Sequence, residues 1–569
     1  MKKNILKLTA YLVTALPLGG VAGGMFSSCA DMMETESDYV SYEKDNTLNH
    51  ATDSVYSVLG IVGKMQYIAD RVVLLGEVRG DLVQPTQAAS ADLKRLAAFD
   101  FSEENKYNNV ADYYAVINNC NYFLNTVDTA MERRGKKVFR SEYAAVKSYR
   151  AWTYLQLAQA YGRVPLITRP LMTEPEARKA MTENIKNMDG ICNFFIDDLK
   201  EYADVATPTF DKNANAKYQD FFIPMKALLG DLCLWAGRYR EAADWYHQFL
   251  NDRDRPRPTG TMAVRWANAQ FRNVMGTYQA AEDYITVIPM ESRVFDGVIS
   301  DLPNIMGSTL QNNYYSQLTA APAMRKLSAD QTFVLENKVE ATGVIDTLVA
   351  PKTGLSYDYW VGDLRFCRNF EQTSVNVDAF SEYSKDRIHF SKVNKSCIYL
   401  YRRSMIYLRY AEALNRAGYP QSAMAVLKYG LYSDNVEKYI DEVEREAAGA
   451  LIEFRDEYFT EENTRGIHSR GCGESRINKY YVLPQPEEEL ATRQDTIDYQ
   501  IPLVEDMIID EMALEGSFEG YRFNDLMRVA MRRGDNSYLA DRVARRGGER
   551  DETLYNLLME DKNWYLPLP

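Results

Sequence analysis

The sequence has few of the residues from which catalytic and metal centres are usually built. It contains four histidines in 569 residues, and none of its seven cysteines belongs to a CxxC pair. This leaves little room for a histidine-based metal site or triad and argues against zinc-ribbon and thioredoxin-like motifs. HExxH, P-loop and GxGxxG signatures are also missing. We therefore predict a protein that is not an enzyme, with no metal and no cofactor.

Positive charge is also in short supply. The 66 lysines and arginines are outnumbered by 80 aspartates and glutamates, which gives a formal net charge of −14. Nucleic acid is therefore disfavoured as a partner, because phosphate contacts need clustered lysine and arginine. Tyrosine, in contrast, is abundant at 40 residues. Its large ring with a polar tip is well suited to solvent-exposed binding surfaces.

The N-terminus has the pattern of an export signal. Three lysines are followed by an uncharged, mostly apolar run that proline and glycines interrupt, so residues 1–28 are predicted to be a cleaved signal peptide. Small residues precede Cys29, an arrangement that resembles a bacterial lipobox. Acylation of Cys29 would anchor the chain without a transmembrane helix, and residues 29–45 would form a lipidated, flexible tether. The alternative is an ordinary signal peptide beside an incidental cysteine.

The other cysteines suggest packing more than chemistry. Cys120, Cys192 and Cys233 lie in helical apolar patterns and are predicted to be buried free thiols. A Cys367–Cys397 disulfide is conceivable in an exported protein, and the sequence leaves it open. The run around Cys472 is predicted to be a polar loop, and its neighbour His468 lacks an orienting partner for nucleophilic catalysis.

A spaced repeat of small residues predicts stacked helix pairs. Residues 221–250 carry small residues at Gly230, Gly237 and Ala242, and residues 405–430 repeat this spacing with an offset of 181. Small residues at such intervals let two antiparallel helices cross closely, as in a tetratricopeptide unit. A further helix pair is predicted at 110–161. Together these pairs predict a mostly α fold with a partial solenoid.

Between the repeat units, residues 259–394 lose the helical period and contain short strand-like runs and scattered aromatics. Such a surface could bind saccharide or clamp an extended peptide, and loops on a rigid scaffold often carry function. The segment Arg79–Gln84, beside a loop containing Tyr107, is a second candidate contact region. The predicted ligand contacts are Arg79, Asp81, Tyr107, Trp266, Tyr314, Tyr315, Tyr359 and Trp360.

Residues 510–528 carry an acidic ridge. Glu511, Glu515 and Glu519 recur every four residues and would share one helix face, where like charges repel unless cations meet them. Arg522 and Arg528 are close enough in sequence to supply those cations. We interpret this ridge as structural, an ion-paired helix that braces the fold.

The same run resembles the C-terminal signature of SusD/RagB-type outer-membrane nutrient-binding lipoproteins of Bacteroidetes. Met512 and Gly516 depart from that signature, where arginine and leucine are usual. The paired N-terminal helices, two Leu-Pro-x-Pro segments and the acidic residues after Cys29 also resemble that family. The matching residues of the signature are Glu511, Glu515, Phe518, Glu519, Gly520, Arg522, Asp525, Leu526 and Arg528.

The resemblance implies a SusD-like fold, with an N-terminal helical region at 46–260 and a C-terminal region at 261–569 that includes a signature helix at 505–530. It also implies a surface-exposed protein of the cell outer membrane, lipid-anchored through Cys29. Such a protein would act as a lid on a SusC-like TonB-dependent β-barrel transporter, capturing oligosaccharide and delivering it to the barrel. Three alternatives stay open: a peptide ligand for the same lid, a surface glycosidase, and a periplasmic repeat-type interaction scaffold.

Overall fold

The computed structural model describes most of the helical chain and parts of its irregular middle. The described residues are 53–209, 218–260, 283–290, 298–306, 317–331, 334–338, 345–349, 363, 365, 370–372, 388–390, 392, 397–473 and 480–568. The predicted signal peptide and tether lie outside these residues. The same holds for Cys29, Trp266, Tyr314, Tyr315, Tyr359, Trp360 and Cys367.

Helices dominate the described chain. In chain order they are α1 Asp53–Val78, α2 Ala91–Ala98, α3 Val110–Thr126, α4 Arg140–Tyr161, α5 Glu174–Ala180, α6 Met188–Leu199, α7 Met225–Trp235, α8 Tyr239–Leu250, α9 Leu302–Met306, α10 Pro322–Ala329, α11 Arg403–Arg416, α12 Pro420–Met424, α13 Ser433–Tyr439, α14 Glu442–Ala448, α15 Ser469–Cys472, α16 Arg493–Gly516, α17 Arg522–Arg533, α18 Ser537–Ala544 and α19 Glu552–Leu558.

The strands are short and form antiparallel pairs. They are β1 Val83–Pro85, β2 Glu132–Arg133, β3 Lys136–Lys137, β4 Val164–Pro165, β5 Ile185–Lys186, β6 Tyr284–Pro289, β7 Leu318–Ala320, β8 Val334–Lys338, β9 Ile345–Val349, β10 Phe370–Gln372, β11 Ile388–Phe390 and β12 Cys397–Arg402. The pairs are β1 with β7, β2 with β3, β4 with β5, β6 with β12, β8 with β9 and β10 with β11. The predicted mostly α fold is confirmed.

Local sequence explains where the main helices begin and end. The Asn109 side chain accepts the backbone N–H of Ala111 at the start of α3, which satisfies a donor that no helical carbonyl can reach. At the start of α16, Thr492 and Asp495 form a reciprocal capping box. Helix α4 ends at Gly162, whose φ of +73° favours glycine.

The repeat with an offset of 181 residues corresponds to two helix pairs, as predicted. The first pair is α7–α8, and the second is α11 with α12, which continues as a π-helix over Ala425–Tyr429. A Cβ at Gly230 would lie 2.5 Å from the Tyr246 ring. Glycine there allows α8 to pack directly on α7.

The helices stack in one continuous series. Neighbouring pairs run from α1 and α3 through α4, α6, α7 and α8 to α11 and α16, and α17 returns to pack on α1. One hydrophobic cluster extends through this series and includes Trp564 near the C-terminus. Each helix pair therefore buries an apolar face that it could not bury alone.

The cysteines of the helical core are buried, as predicted. Cys120, Cys192 and Cys233 are free thiols, and burial raises the pKa of Cys120 to about 12. Cys397 is buried on β12, and because Cys367 lies outside the described residues, the disulfide between them stays a prediction. In the described part of the chain, no helix is both long enough and apolar enough to cross a bilayer.

Candidate functional site

The acidic ridge lies inside the protein, at the centre of a buried ion network. Both carboxylate oxygens of Glu515 are engaged. One accepts from Arg402 at 2.9 Å and from Arg470 at 3.0 Å, and the other accepts from Arg365 at 2.9 Å. Burial alone would raise the pKa of Glu515, but these guanidinium groups outweigh it and hold the pKa well below its usual range. Glu515 is therefore a buried anion stabilised by three arginines.

The other two ridge carboxylates extend the network. Glu511 lies 2.7 Å from Arg365 and 2.8 Å from the Nδ1 atom of His468. Burial raises the pKa of Glu511, yet Arg365 and His468 together bring it down to about 2. Glu519 accepts two hydrogen bonds from Arg402, at 2.7 and 2.8 Å, a bidentate geometry that fixes both partners.

The network joins the irregular middle of the chain to the helical scaffold. Asp283, just before β6, lies 2.6 Å from Arg402. Lys392 lies 2.6 Å from Glu519 and donates to the backbone carbonyl of Glu515 at 2.7 Å. Asp283, through Arg402, and Lys392 are thus tied by charge to Glu515 and Glu519. This geometry agrees with the interpretation of the ridge as a structural brace.

The prediction that Arg522 and Arg528 supply the cations of the ridge is wrong. Arg522 instead binds Asp81 with both nitrogens of its guanidinium fork, at 2.6 and 2.8 Å. Arg528 binds Glu412 in the same way, at 2.8 and 2.6 Å, and also lies 2.8 Å from Asp525. Both arginines lie on α17, which points them away from the ridge. Among the described residues, the arginines and lysines that meet the ridge are Arg365, Lys392, Arg402 and Arg470.

The prediction of a single signature helix at 505–530 is also wrong, because this segment forms two helices, α16 and α17, with a break between them. Phe518 has a φ of +66° and Gly520 a φ of +92°, values that interrupt a right-handed helix. Glu519 therefore lies in the intervening turn and reaches Arg402 from there. The turn brings Gly520 against α1, where its N–H donates to Glu77 at 2.8 Å.

Two predicted ligand contacts have buried side chains with internal partners. Arg79 donates to the carbonyls of Leu75 and Trp564, both at 2.8 Å, and its guanidinium lies over the Phe523 ring. Burial lowers the pKa of Arg79 to about 10. Asp81 is engaged by Arg522. In this structure, both side chains hold α1 and its C-terminal loop to the C-terminal part of the chain.

The third described contact, Tyr107, also has a buried side chain. The Lys106 ammonium lies 5.0 Å from the centroid of its ring. Among the described residues, its hydroxyl has no hydrogen-bond partner. Burial raises the pKa of Tyr107, and the carboxylates of Asp301, Asp92 and Asp70 add to this effect. Tyr107 is therefore within electrostatic reach of these three carboxylates.

Asp70 on α1 fixes the position of the turn before α9. It accepts from the Ser300 hydroxyl at 2.7 Å and from the Asp301 backbone N–H at 2.6 Å. Burial raises the pKa of Asp70, partly offset by the Ser300 hydrogen bond. Strand β1 pairs with β7, so Val83 and Gln84 lie opposite Ala320 and Thr319. This pairing joins the Arg79–Gln84 segment to a described part of the irregular middle of the chain.

Exposed apolar side chains accompany this junction. Tyr67, one helical turn before Asp70, is 55% exposed, and Ile299, directly before Ser300, is 65% exposed. Exposed aromatic and aliphatic groups beside anchored polar groups suit ligand binding. Sequence reasoning missed both residues, because neither belongs to a motif. We call this region the α1 corner; it consists of the exposed Tyr67, Ile299 and Asp301 together with the less exposed Asp70, Tyr107 and Ser300.

The segment around Cys472 is a short buried helix, α15, and its prediction as a polar loop is wrong. Its thiol donates to Asp363 at 3.4 Å, and burial holds the pKa of Cys472 well above its usual range. A protonated, buried thiol is a poor nucleophile. His468 bonds to Glu511, as described above. Within the described ranges, no group of three or more His, Cys, Asp or Glu side chains could hold a metal ion.

Known solved structures share this architecture. A SusD superfamily protein from Bacteroides vulgatus matches with a TM-score of 0.58 at 13% identity, covering 91% of this chain and 96% of that one. A SusD superfamily protein from Bacteroides thetaiotaomicron matches with a TM-score of 0.54 at 15% identity, covering 89% and 92% of the two chains.

A SusD-like carbohydrate binding protein from Bacteroides fragilis matches with a TM-score of 0.54 at 14% identity, covering 86% of this chain and 88% of that one. Known protein-family models do not match the sequence, and neither do curated protein sequences. The structural matches extend over nearly all of each relative. The chain therefore has the SusD-like fold that its C-terminal signature predicts.

Proposed function

We propose that this protein binds oligosaccharide at a cell surface, without making or breaking bonds, and delivers it to a TonB-dependent outer-membrane transporter. The observation that supports binding is the α1 corner on a SusD-like scaffold. One protein with this fold is described as a carbohydrate binding protein. Cys29 would carry the lipid anchor, and the chain would act as a lid on the transporter.

The chemistry of the α1 corner is compatible with sugar. A sugar ring offers an apolar face to an aromatic plane, and its hydroxyls both donate and accept hydrogen bonds. Tyr67 supplies an exposed ring, and the carboxylate of Asp301 accepts a hydrogen bond from the Asn304 side chain at 2.9 Å. The Asp70 contacts hold these groups in one place before a ligand arrives, which reduces the entropy lost on binding.

Calorimetry with neutral linear oligosaccharides tests the proposal. The protein would begin at Ala30, so that it is free of lipid, and panels of glucans, mannans and xylans would be titrated into it. We expect one class to bind and Tyr67→Ala to weaken that binding by roughly tenfold, equal to about 1.4 kcal/mol. The matched control is Tyr499→Ala, because Tyr499 is a 40% exposed tyrosine on α16.

The outcome can also favour a different ligand. If no oligosaccharide produces heat while an unstructured peptide library does, and Tyr67→Ala abolishes that signal, peptide replaces sugar as the ligand. Equal binding by the Tyr67 and Tyr499 variants would remove the α1 corner as the binding surface.

A further inference from the structure

A second concave surface is bordered by Phe99 and Phe101, which precede Tyr107 in the chain. It is a cleft of about 700 Å³ bordered by the end of α2, the turn after α4, the start of α6 and the C-terminal segment 561–567. This volume is within the range of ligand pockets. None of the residues assigned to the α1 corner lines it.

Aromatic rings form part of the cleft wall and are held rigidly. One face of the Tyr565 ring packs on Gly162, where a Cβ would lie 3.0 Å from three ring atoms. Phe101 meets Phe99 edge-on, with ring centroids 6.4 Å apart, and Phe99 packs in turn on Phe523. Tyr565 and Phe101 are only half-buried. The cleft therefore has preformed, partly accessible apolar surfaces.

Two charged groups at the cleft have no ion-pair partner among the described residues. Arg163 and Asp561 both line the cleft and are exposed. The other charges there are compensated, because Asp189 lies 2.5 Å from Arg532 and Lys562 lies 2.5 Å from Glu560. What the cleft offers a ligand is one strong donor, one strong acceptor and ring surfaces.

We propose that this cleft is a second saccharide site, in which Tyr565 and Phe101 contact the apolar face of a neutral sugar ring. Arg163 donates to the hydroxyls of that ring, and Asp561 accepts from them. A neutral sugar fits because the free charges are balanced and its hydroxyls use a donor and an acceptor together. The choice of sugar over other ligands rests on the proposed function, and the location of the site does not.

The two sites share a structural support. The loop between α2 and α3 contributes Phe101 to the cleft and Tyr107 to the α1 corner. Asn108 in the same loop donates to the carbonyl of Pro567, at the cleft edge, at 3.1 Å. The cleft segments 161–163 and 561–567 do not overlap with residues 67–70 and 299–301 of the α1 corner, so protection of the two sites can be measured separately.

Hydrogen–deuterium exchange with the same oligosaccharide panels tests the second site. We expect slower exchange in residues 161–163 and 561–567 when the sugar is present. The double variant Arg163→Ala/Asp561→Ala should weaken binding at these segments by at least about tenfold, because each lost hydrogen bond to a charged group costs that much or more. The control is Arg133→Ala/Asp254→Ala, which removes one exposed cation and one exposed anion elsewhere.

Each result separates the two proposals. Protection of the cleft segments that the double variant removes and the control keeps supports the second site. Protection confined to residues 67–70 and 299–301 overturns the second site and leaves the proposed function standing. Protection of neither region, with every oligosaccharide in the panel, overturns both. Protection of the cleft that survives the double variant overturns the roles of Arg163 and Asp561.

Discussion

At the scale of single residues, Arg402 has the most demanding position. It contacts Asp283, Glu515 and Glu519 and is fully buried. Arg402→Met keeps most of the side-chain volume but leaves these carboxylates without their shared cation. We expect a loss of about 3–5 kcal/mol in the free energy of unfolding, since removing one partner of a buried pair leaves an uncompensated charge. Urea unfolding, followed by tryptophan fluorescence, measures this loss in the free energy of unfolding.

A surface arginine provides the matched comparison. Arg493 pairs with Asp441 at 2.8 Å, but both side chains are about two-fifths exposed. Arg493→Met should therefore change the free energy of unfolding by no more than about 1 kcal/mol. Similar losses in the two variants would mean that the network around Glu515 adds no special stability.

The same residues show how far the sequence could be read. The four-residue spacing of Glu511 and Glu515 predicts a shared helix face, and the prediction of an ion-paired brace followed from it. The partners could not be predicted, because Arg402 and Arg365 lie 113 and 150 residues from Glu515 in sequence. Arg522 and Arg528 were chosen for nearness in sequence, and the break after α16 turns them toward Asp81 and Glu412.

At the scale of elements, the contact between α1 and the turn after α16 depends on two glycines. A Cβ on Gly76 would lie 1.8 Å from the carbonyl oxygen of Gly520, so backbone would have to move. We expect Gly76→Ala to lower the free energy of unfolding by about 3 kcal/mol through overpacking. Thermal unfolding of the variant, compared with a second glycine variant in the same helix, measures this effect.

Gly60 provides that comparison, because nothing lies within 4 Å of a Cβ built there. Gly60→Ala should stabilise the protein by about 0.5–1 kcal/mol, since alanine loses less backbone entropy in a helix interior. If Gly76→Ala proved as harmless as Gly60→Ala, the close approach of α1 to Gly520 would not exist in solution.

The helix pairs could be predicted from the sequence, but the break between α16 and α17 could not. Gly237 and Gly418 lie two residues after the first helices of the two repeat units, with φ values of +73° and +94°, and their spacing signals a tight turn. Phe518 gives no such signal, because phenylalanine does not favour positive φ. The surroundings of Phe518 impose that conformation on it. Tertiary contact with α1 therefore decides where the signature helix ends.

At the scale of the whole molecule, the stacked helices and the irregular middle suggest a division of labour. We propose that the helical repeats face the transporter while the α1 corner faces the ligand. Asp70 on α1 holds Ser300 and Asp301. Because Glu77 on the same helix accepts from the Gly520 N–H, the α1 corner and the scaffold would move as one piece. A lid of this kind needs such coupling, since capture must be transmitted to the partner.

Recovery of the partner from native membranes is the test at this scale. With Cys29 intact, a tagged protein extracted in mild detergent should bring down a large TonB-dependent barrel in near-equal amount, identified by mass spectrometry. The Cys29→Ala form should be lost from the membrane fraction, because in the proposed function a diacylated Cys29 would supply the anchor. If no barrel is recovered and the Cys29→Ala form behaves like the form with Cys29 intact, the lid proposal fails. The stacked repeats would then be a scaffold for some other protein. In that case, intact cells treated with protease should leave the chain uncut, because a periplasmic scaffold is shielded by the outer membrane.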